Sequence, residues 1–182
     1  MEIKDIIQGI LEENPRSQKA LVDQYAPYLF SICRRYLRDD LEAQDVLQDT
    51  FMRVFKSMDK FSGEVSSFKP WIKRIAINIA LKKIKLFSYT RETYPDDAMP
   101  IVSAPAAAHD SMGVDEIMGL LEQLTPDQKK VFNLYIIDGY SHKEIASELG
   151  VEVATSRSIL LRARNTMQHL IIKRDSYEAK AI

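Results

Sequence analysis

Apolar residues recur along this chain at helical intervals, and no stretch shows the two-residue alternation of a strand. Ile3, Ile6, Ile7, Ile10 and Leu11 line one side of an amphipathic helix that Asn14-Pro15 brings to an end. A second helical stretch, interrupted at Pro27, continues through YLFSICRRYL to Arg38. After Asp39-Asp40 a third sets Ala43, Val46, Leu47, Thr50, Phe51, Val54 and Phe55 on one broad face. KFSGEVSS, residues 60–67, is a loop by its glycine and serine content. Ser66 or Ser67 is placed to cap the next helix, with Pro70 tolerated in its first turn. Phe68, Ile72, Ile75, Ile79 and Leu86 form that helix's core stripe.

The period then lapses. From Leu86 to Met112 the chain has three prolines and several alanines and serines, which reads as a linker. Helical spacing resumes at Val114, Ile117, Met118 and Leu121, and Thr125 with Gln128 forms a capping-box pattern with Pro126 at the first helical position. Val131, Phe132 and Tyr135 point that helix inward, and Asp138-Gly139 turns the chain into Gly139–Met167. There Ser141 and Glu144 make a second capping box, Ile145, Ala146 and Leu149 an apolar face, Gly150 a stop, and a new helix begins near Val153. Val153, Leu160, Ala163, Met167 and Ile171 fall on its buried side. Ala154, Ser158, Leu161, Arg162 and Asn165 face out, flanked by Thr155 and Arg157. The predicted fold is all-α: two small helical domains joined by an acidic flexible linker, the C-terminal one a helix-turn-helix. The boundaries fall at 1–86, 87–112 and 113–174, with a frayed tail at 175–182.

Charge changes what this outline implies. The net charge of −1 would disfavour a polyanion as partner if it were evenly spread, but it is segregated. Residues 60–91 hold eight basic groups and one acidic, and residues 92–127 hold eight acidic and none basic. Nine basic and six acidic groups follow in 128–182. Each block acts locally, because salt confines its field to roughly 8 Å. One cysteine, Cys33, permits no internal disulfide and reads as a helix-core residue; the three scattered histidines, at 109, 142 and 169, have no metal-ligand spacing. No cofactor, no metal site and no enzymatic constellation is expected. With no run of eighteen apolar residues and an acidic amphipathic N-terminus, neither a membrane span nor a secretory signal is expected, and the protein is placed in the cytoplasm.

Three surfaces could carry function. Thr155, Arg157, Ser158, Leu161 and Arg162 suit base edges in a major groove, or form an ordinary solvated basic face. Five Lys or Arg and no Asp or Glu between Val153 and Arg174 favour DNA. Asp45, Asp49, Met52 and Lys56, with Gln48 at the edge, lie opposite a full core face, which fits a docked protein or plain solvation. Trp71, Arg74, Asn78, Lys82 and Lys85 run as an aromatic, amide and cationic stripe. It matches single-stranded DNA, whose bases stack on flat rings, or else a core tryptophan beside solvated lysines.

LEAQDVLQDTFMRVFKSMDKF with SFKPWIKRIAINIAL, and LTPDQKKVFNLYIIDGYSHKEIASELGVEVATSRSILLRAR, together resemble the bacterial sigma factors of the small extracytoplasmic-function (ECF) group. The resemblance spans about residues 20 to 174. It implies a factor that binds core RNA polymerase, through the β and β′ subunits, and directs promoter recognition and strand opening. Asp45 and Gln48, supported by Phe51 and Phe55 and flanked by Asp49 and Met52, would dock on the β′ coiled coil. Phe68, Lys69, Trp71, Arg74, Asn78, Lys82 and Lys85 would engage the opened minus-10 element, with 60–68 lining a pocket for an unstacked base. His142, Lys143, Thr155, Arg157, Ser158, Leu161 and Arg162 would contact the minus-35 duplex. The resemblance also allows an anti-sigma factor as a further partner. Gln44, Lys82, Lys85 and Glu152 depart from residues usual in the group. They blur the expected minus-10 preference and the first turn of the reading helix. A stand-alone helix-turn-helix regulator with a helical sensor domain is the alternative, and it predicts dimers on palindromic DNA without polymerase.

Overall fold

A computed structural model describes residues 1–37, 39–93 and 119–178, with backbone alone for 86–93 and 174–178. The chain divides into two compact units, Met1–Asp96 and Asp97–Ile182. The expected linker from 94 onward, the apolar positions Val114, Ile117 and Met118, and the last four residues lie outside the described residues. Among the described residues every regular element is helical.

The first unit opens with α1 (Ile3–Leu11), which buries Ile6 and Ile10 and ends before Glu13, a residue at φ 57. The Asn14 carboxamide accepts from the Arg16 amide at 2.9 Å and Pro15 occupies the first position of α2 (Pro15–Tyr36). Gly9 faces Ser17 so closely that a Cβ there would collide with the serine side chain, so glycine is what lets α1 cross α2 at this distance. Contrary to the expected interruption, α2 runs straight through Pro27. Pro27 is on the exposed side, where water can hydrate the carbonyl it leaves unpaired. Leu21 before it and Leu29, Ile32 and Cys33 after it are buried in one core, which offsets the roughly 3 kcal/mol that an interior proline costs. Cys33 is fully buried, and burial pushes its thiol up to about 11.

Asp39 caps α3 (Asp40–Lys56), its carboxylate accepting from the Glu42 amide at 2.7 Å. Ala43, Val46, Phe51 and Val54 are buried, and Thr50 joins them because its hydroxyl donates to the Val46 carbonyl at 2.6 Å. A short 3-10 turn at Met58–Lys60 leads to α4 (Val65–Thr93). Two expectations fail here. The helix starts before Ser66 and Ser67, and the Ser67 hydroxyl bonds back to the Glu64 carbonyl at 2.7 Å, so neither serine is its cap and Pro70 lies past the first turn. The backbone of α4 stays helical to Thr93. The α4 core includes Ala76, Ile77, Ala80 and Leu81 beside Phe68 and Ile72, while Ile75 and Ile79 are half-buried. It is wider than a single stripe because α4 packs on both α2 and α3.

In the second unit α5 (Pro126–Phe132) carries the full Thr125–Gln128 capping box, then loosens into a π-helical turn at Asn133–Ile137 that the periodicity did not show. Gly139 at φ 78 turns the chain into α6 (His142–Leu149), whose Ser141–Glu144 box is complete, and α7 (Val153–Glu178) follows. Leu120, Leu121, Leu124, Ala163 and Met167 form one cluster with Phe132 and Leu170 against it. Ile171, expected inside, is 39% exposed, because α7 continues past the residues it packs on.

Gly150 ends α6 at φ 69 with open space where a Cβ would go. Only backbone conformation opposes a side chain there, so Gly150→Ala is expected to cost about 1–2 kcal/mol. The same change at Gly119, exposed and in ordinary helical backbone, is expected to be neutral or stabilising. Thermal unfolding of the two variants checks the contrast.

Candidate polymerase and nucleic-acid interfaces

The first unit carries two surfaces built on adjacent helices. On α3, Asp45, Gln48, Asp49 and Met52 are all exposed, while Ala43, Val46, Thr50 and Val54 are buried, so one side of the helix faces outward. Met52 is 48% exposed on this face, among acids and an amide. Phe51 stacks on Phe55 at 6.2 Å behind this face. The Asp45 carboxylate accepts from Lys83 of α4 at 3.0 Å.

On α4, Lys69, Arg74, Lys82 and Lys85 are exposed and Trp71 and Asn78 half-buried. Phe68, expected on the minus-10 face, is corrected: it is wholly buried and touches no solvent. Its ring meets Tyr25 at 5.8 Å, Phe61 at 5.3 Å and Trp71 at 5.7 Å. Trp71 also tilts against Phe61 at 5.1 Å, so the loop before α4 and the first turns of the helix share one aromatic cluster. Lys69 holds its ammonium 4.4 Å from the centre of the Tyr28 ring on α2. Tyr28 had no signal in the α4 pattern, since it joins the stripe only through packing. Between the loop and α1 runs an open groove whose lining includes Lys4, Gln8, Phe61 and Val65, so α1 borders the loop expected to hold an unstacked base.

In the second unit α7 exposes Thr155, Arg157, Ser158, Leu161 and Arg162, with Leu161 61% exposed and the Ser158 hydroxyl tied to the Ala154 carbonyl at 3.1 Å. Lys143 is exposed on α6. His142 is more engaged than its neighbours: its ring stacks on Tyr135 of the π turn at 4.4 Å, and Nδ1 lies 3.0 Å from the hydroxyl of fully buried Ser156. Arg164 reaches over the same Tyr135 ring at 5.9 Å. His142 thereby joins α6, α7 and the π turn, a role that sequence spacing did not signal.

Burial, then the positive charges of Arg157 and Arg164, hold the His142 imidazole below its ordinary 6.5. The unfolded chain therefore binds the proton more readily. The contribution to stability is full above about pH 6.5 and is lost as pH falls through the lower folded value. The Tm advantage of the natural chain over His142→Asn is expected to shrink between neutral pH and pH 5, as measured by thermal melts across that range.

Among the described residues, no group of three or more His, Cys, Asp or Glu side chains could hold a metal ion, and no helix is long and apolar enough to cross a membrane. The Sigma-70 region 2 family matches residues 21–85, the unit with the α3 and α4 faces, and Sigma-70 region 4 matches 115–167, the helix-turn-helix. The chain belongs to the sigma-70 family. Within it the ECF RNA polymerase sigma factor SigE of Mycolicibacterium smegmatis is 28% identical over 88% of this chain, which spans 64% of that protein's length. The RNA polymerase sigma-H factor of Pseudomonas aeruginosa is 27% identical across 90% of this chain and 91% of its own. The ECF sigma-E factor of Escherichia coli K12 is 26% identical across 91% and 92%. The fold of the sigma factor RpoE of Bartonella quintana, solved with the anti-sigma factor NepR, matches with a TM-score of 0.59 at 24% identity, covering 84% of this chain and 95% of that one. The chain is thus an ECF-group sigma factor, a class that directs transcription initiation by core RNA polymerase at promoter DNA.

Proposed function

We propose that the two units divide the promoter between them. Asp45, Gln48, Asp49 and Met52 dock on the β′ subunit of core polymerase. Lys69, Trp71, Arg74, Asn78, Lys82 and Lys85 hold the opened minus-10 strand, and Lys143, Thr155, Arg157, Ser158, Leu161 and Arg162 read the minus-35 duplex. His142 acts there through its hold on Ser156 and Tyr135. The observation that carries this reading is that two helices packed on each other expose faces of different chemistry, an acidic one on α3 and a basic, aromatic one on α4. One can engage protein while the other engages nucleic acid. Each base stacked on an aromatic ring such as Trp71 contributes roughly 1–3 kcal/mol, which helps offset strand opening.

The factor performs no bond chemistry itself and works in the cytoplasm beside the polymerase. The unit boundaries near 86 and 113 and an acidic tether between them complete the scheme. Because the fold resembles a sigma factor crystallised with an anti-sigma factor, a partner of that kind is proposed for this chain as well.

The test adds purified core polymerase to the chain and assays run-off transcription from DNA that the mixture selects from random duplex. Transcription that depends on both components supports the reading. Dimeric binding to palindromic DNA with no effect of polymerase would overturn it in favour of a stand-alone regulator.

A further inference from the structure

The pair between Lys83 and Asp45 joins the two faces of the first unit, and nothing else so far assigned uses it. Thirty-eight positions separate the partners, and the ammonium lies 3.0 Å from the carboxylate. Their environments differ: the Asp45 side chain is 71% exposed on the docking face, whereas the Lys83 side chain is 21% exposed, turned from α4 towards α3. Lys83 is also one of six basic residues, with Lys69, Lys73, Arg74, Lys82 and Lys85, in a span of α4 that contains no acidic residue. Asp45 thus neutralises one charge of the segment that must meet phosphate.

We propose that Lys83 is a nucleic-acid contact held in reserve by Asp45 and released to the single strand when polymerase takes the carboxylate. This rests on the reading of Asp45 as a polymerase-docking residue. An ion pair with one partner largely in water is weak, so a cationic group on the docking surface can displace Lys83 at little cost. The freed ammonium, on a flexible four-carbon stem in the same turn of α4 as Lys82 and Lys85, then swings round to the nearest remaining anion, a strand phosphate. The factor would hold a single strand more tightly when docked than when free, without a change of fold.

Two measurements on the full chain test this. In fluorescence anisotropy with labelled oligo(dT) across a salt series, Asp45→Asn is expected to bind more tightly, with a log–log salt slope steeper by about 0.7, one added single-strand phosphate contact. The double variant Asp45→Asn with Lys83→Gln should return to the natural value, and Asp40→Asn, which neutralises another exposed acid of α3 paired with Arg34, should not change it. An unchanged slope in Asp45→Asn, a gain that survives in the double variant, or an equal gain in Asp40→Asn each overturns the proposal. In the second measurement, acetylation of Lys83 relative to Lys82 is followed by mass spectrometry and should rise severalfold on binding core polymerase. A chain that does not co-elute with core overturns the docking reading and this proposal with it. Co-elution with unchanged or lower Lys83 acetylation overturns the proposal alone.

Discussion

Phe68→Ala is expected to unfold the first unit or leave it on the edge of unfolding, while the helix-turn-helix unit stays folded. Phe68 is wholly buried and its ring is in contact with Tyr25, Phe61 and Trp71, which belong to α2, the loop and α4. Truncating such a ring costs about 3–5 kcal/mol in lost transfer energy and cavity. A domain of this size has a total margin of roughly 5–15 kcal/mol, so the loss takes from about a fifth of it to all of it. The chain has one tryptophan, Trp71, inside the same cluster, so its fluorescence reports this unit alone. The denaturation midpoint seen by Trp71 should fall steeply, with core binding and strand opening lost together. A Trp71 transition that does not move would show that the aromatic cluster is peripheral to this unit's stability.

Arg157→Ala and Arg162→Ala should act in the opposite way, on recognition with the fold intact. Both side chains are exposed, so each change is expected to alter stability by no more than about 0.5 kcal/mol. An arginine paired with a guanine edge is worth about 1–3 kcal/mol, so each variant should weaken use of the upstream element by roughly five- to 150-fold. The double variant should still co-elute with core polymerase and still transcribe from a template with an extended opened strand. Transcription of a selected promoter, with and without its upstream element, checks this. Equal loss on both templates would mean that the arginines serve something other than upstream recognition.

These two outcomes also mark where sequence reasoning succeeded and where it did not. The exposed face of α7 could be read directly, because a helix of known phase with known caps fixes which residues point together. Phe68 could not be assigned so simply. It falls on the α4 core stripe and next to the basic stripe at once, and the nearby Lys69 and Trp71 invited a nucleic-acid role. Only the meeting of Tyr25, Phe61 and Trp71 around its ring decides that it is buried. His142 is similar. Its place beside Lys143 suggested a DNA contact, whereas its ring and Nδ1 are engaged by Tyr135 and Ser156, seven positions before it and fourteen after it.

The sequence by itself determined the helical class, the two-part organisation and the start and stop of the helix-turn-helix. Those features depend on hydrogen bonds that close within three or four residues, such as Ser141 with Glu144 or Thr125 with Gln128, and on a glycine at φ 69. The tertiary structure alone decided that α2 passes through Pro27, that α4 begins at Val65 and stays helical to Thr93, and that Ile77 is core. It also brought Lys83 to Asp45. The reason is that burial against other helices can exceed the few kcal/mol by which a proline or a missing cap opposes a helix, and such burial depends on residues far away in the chain.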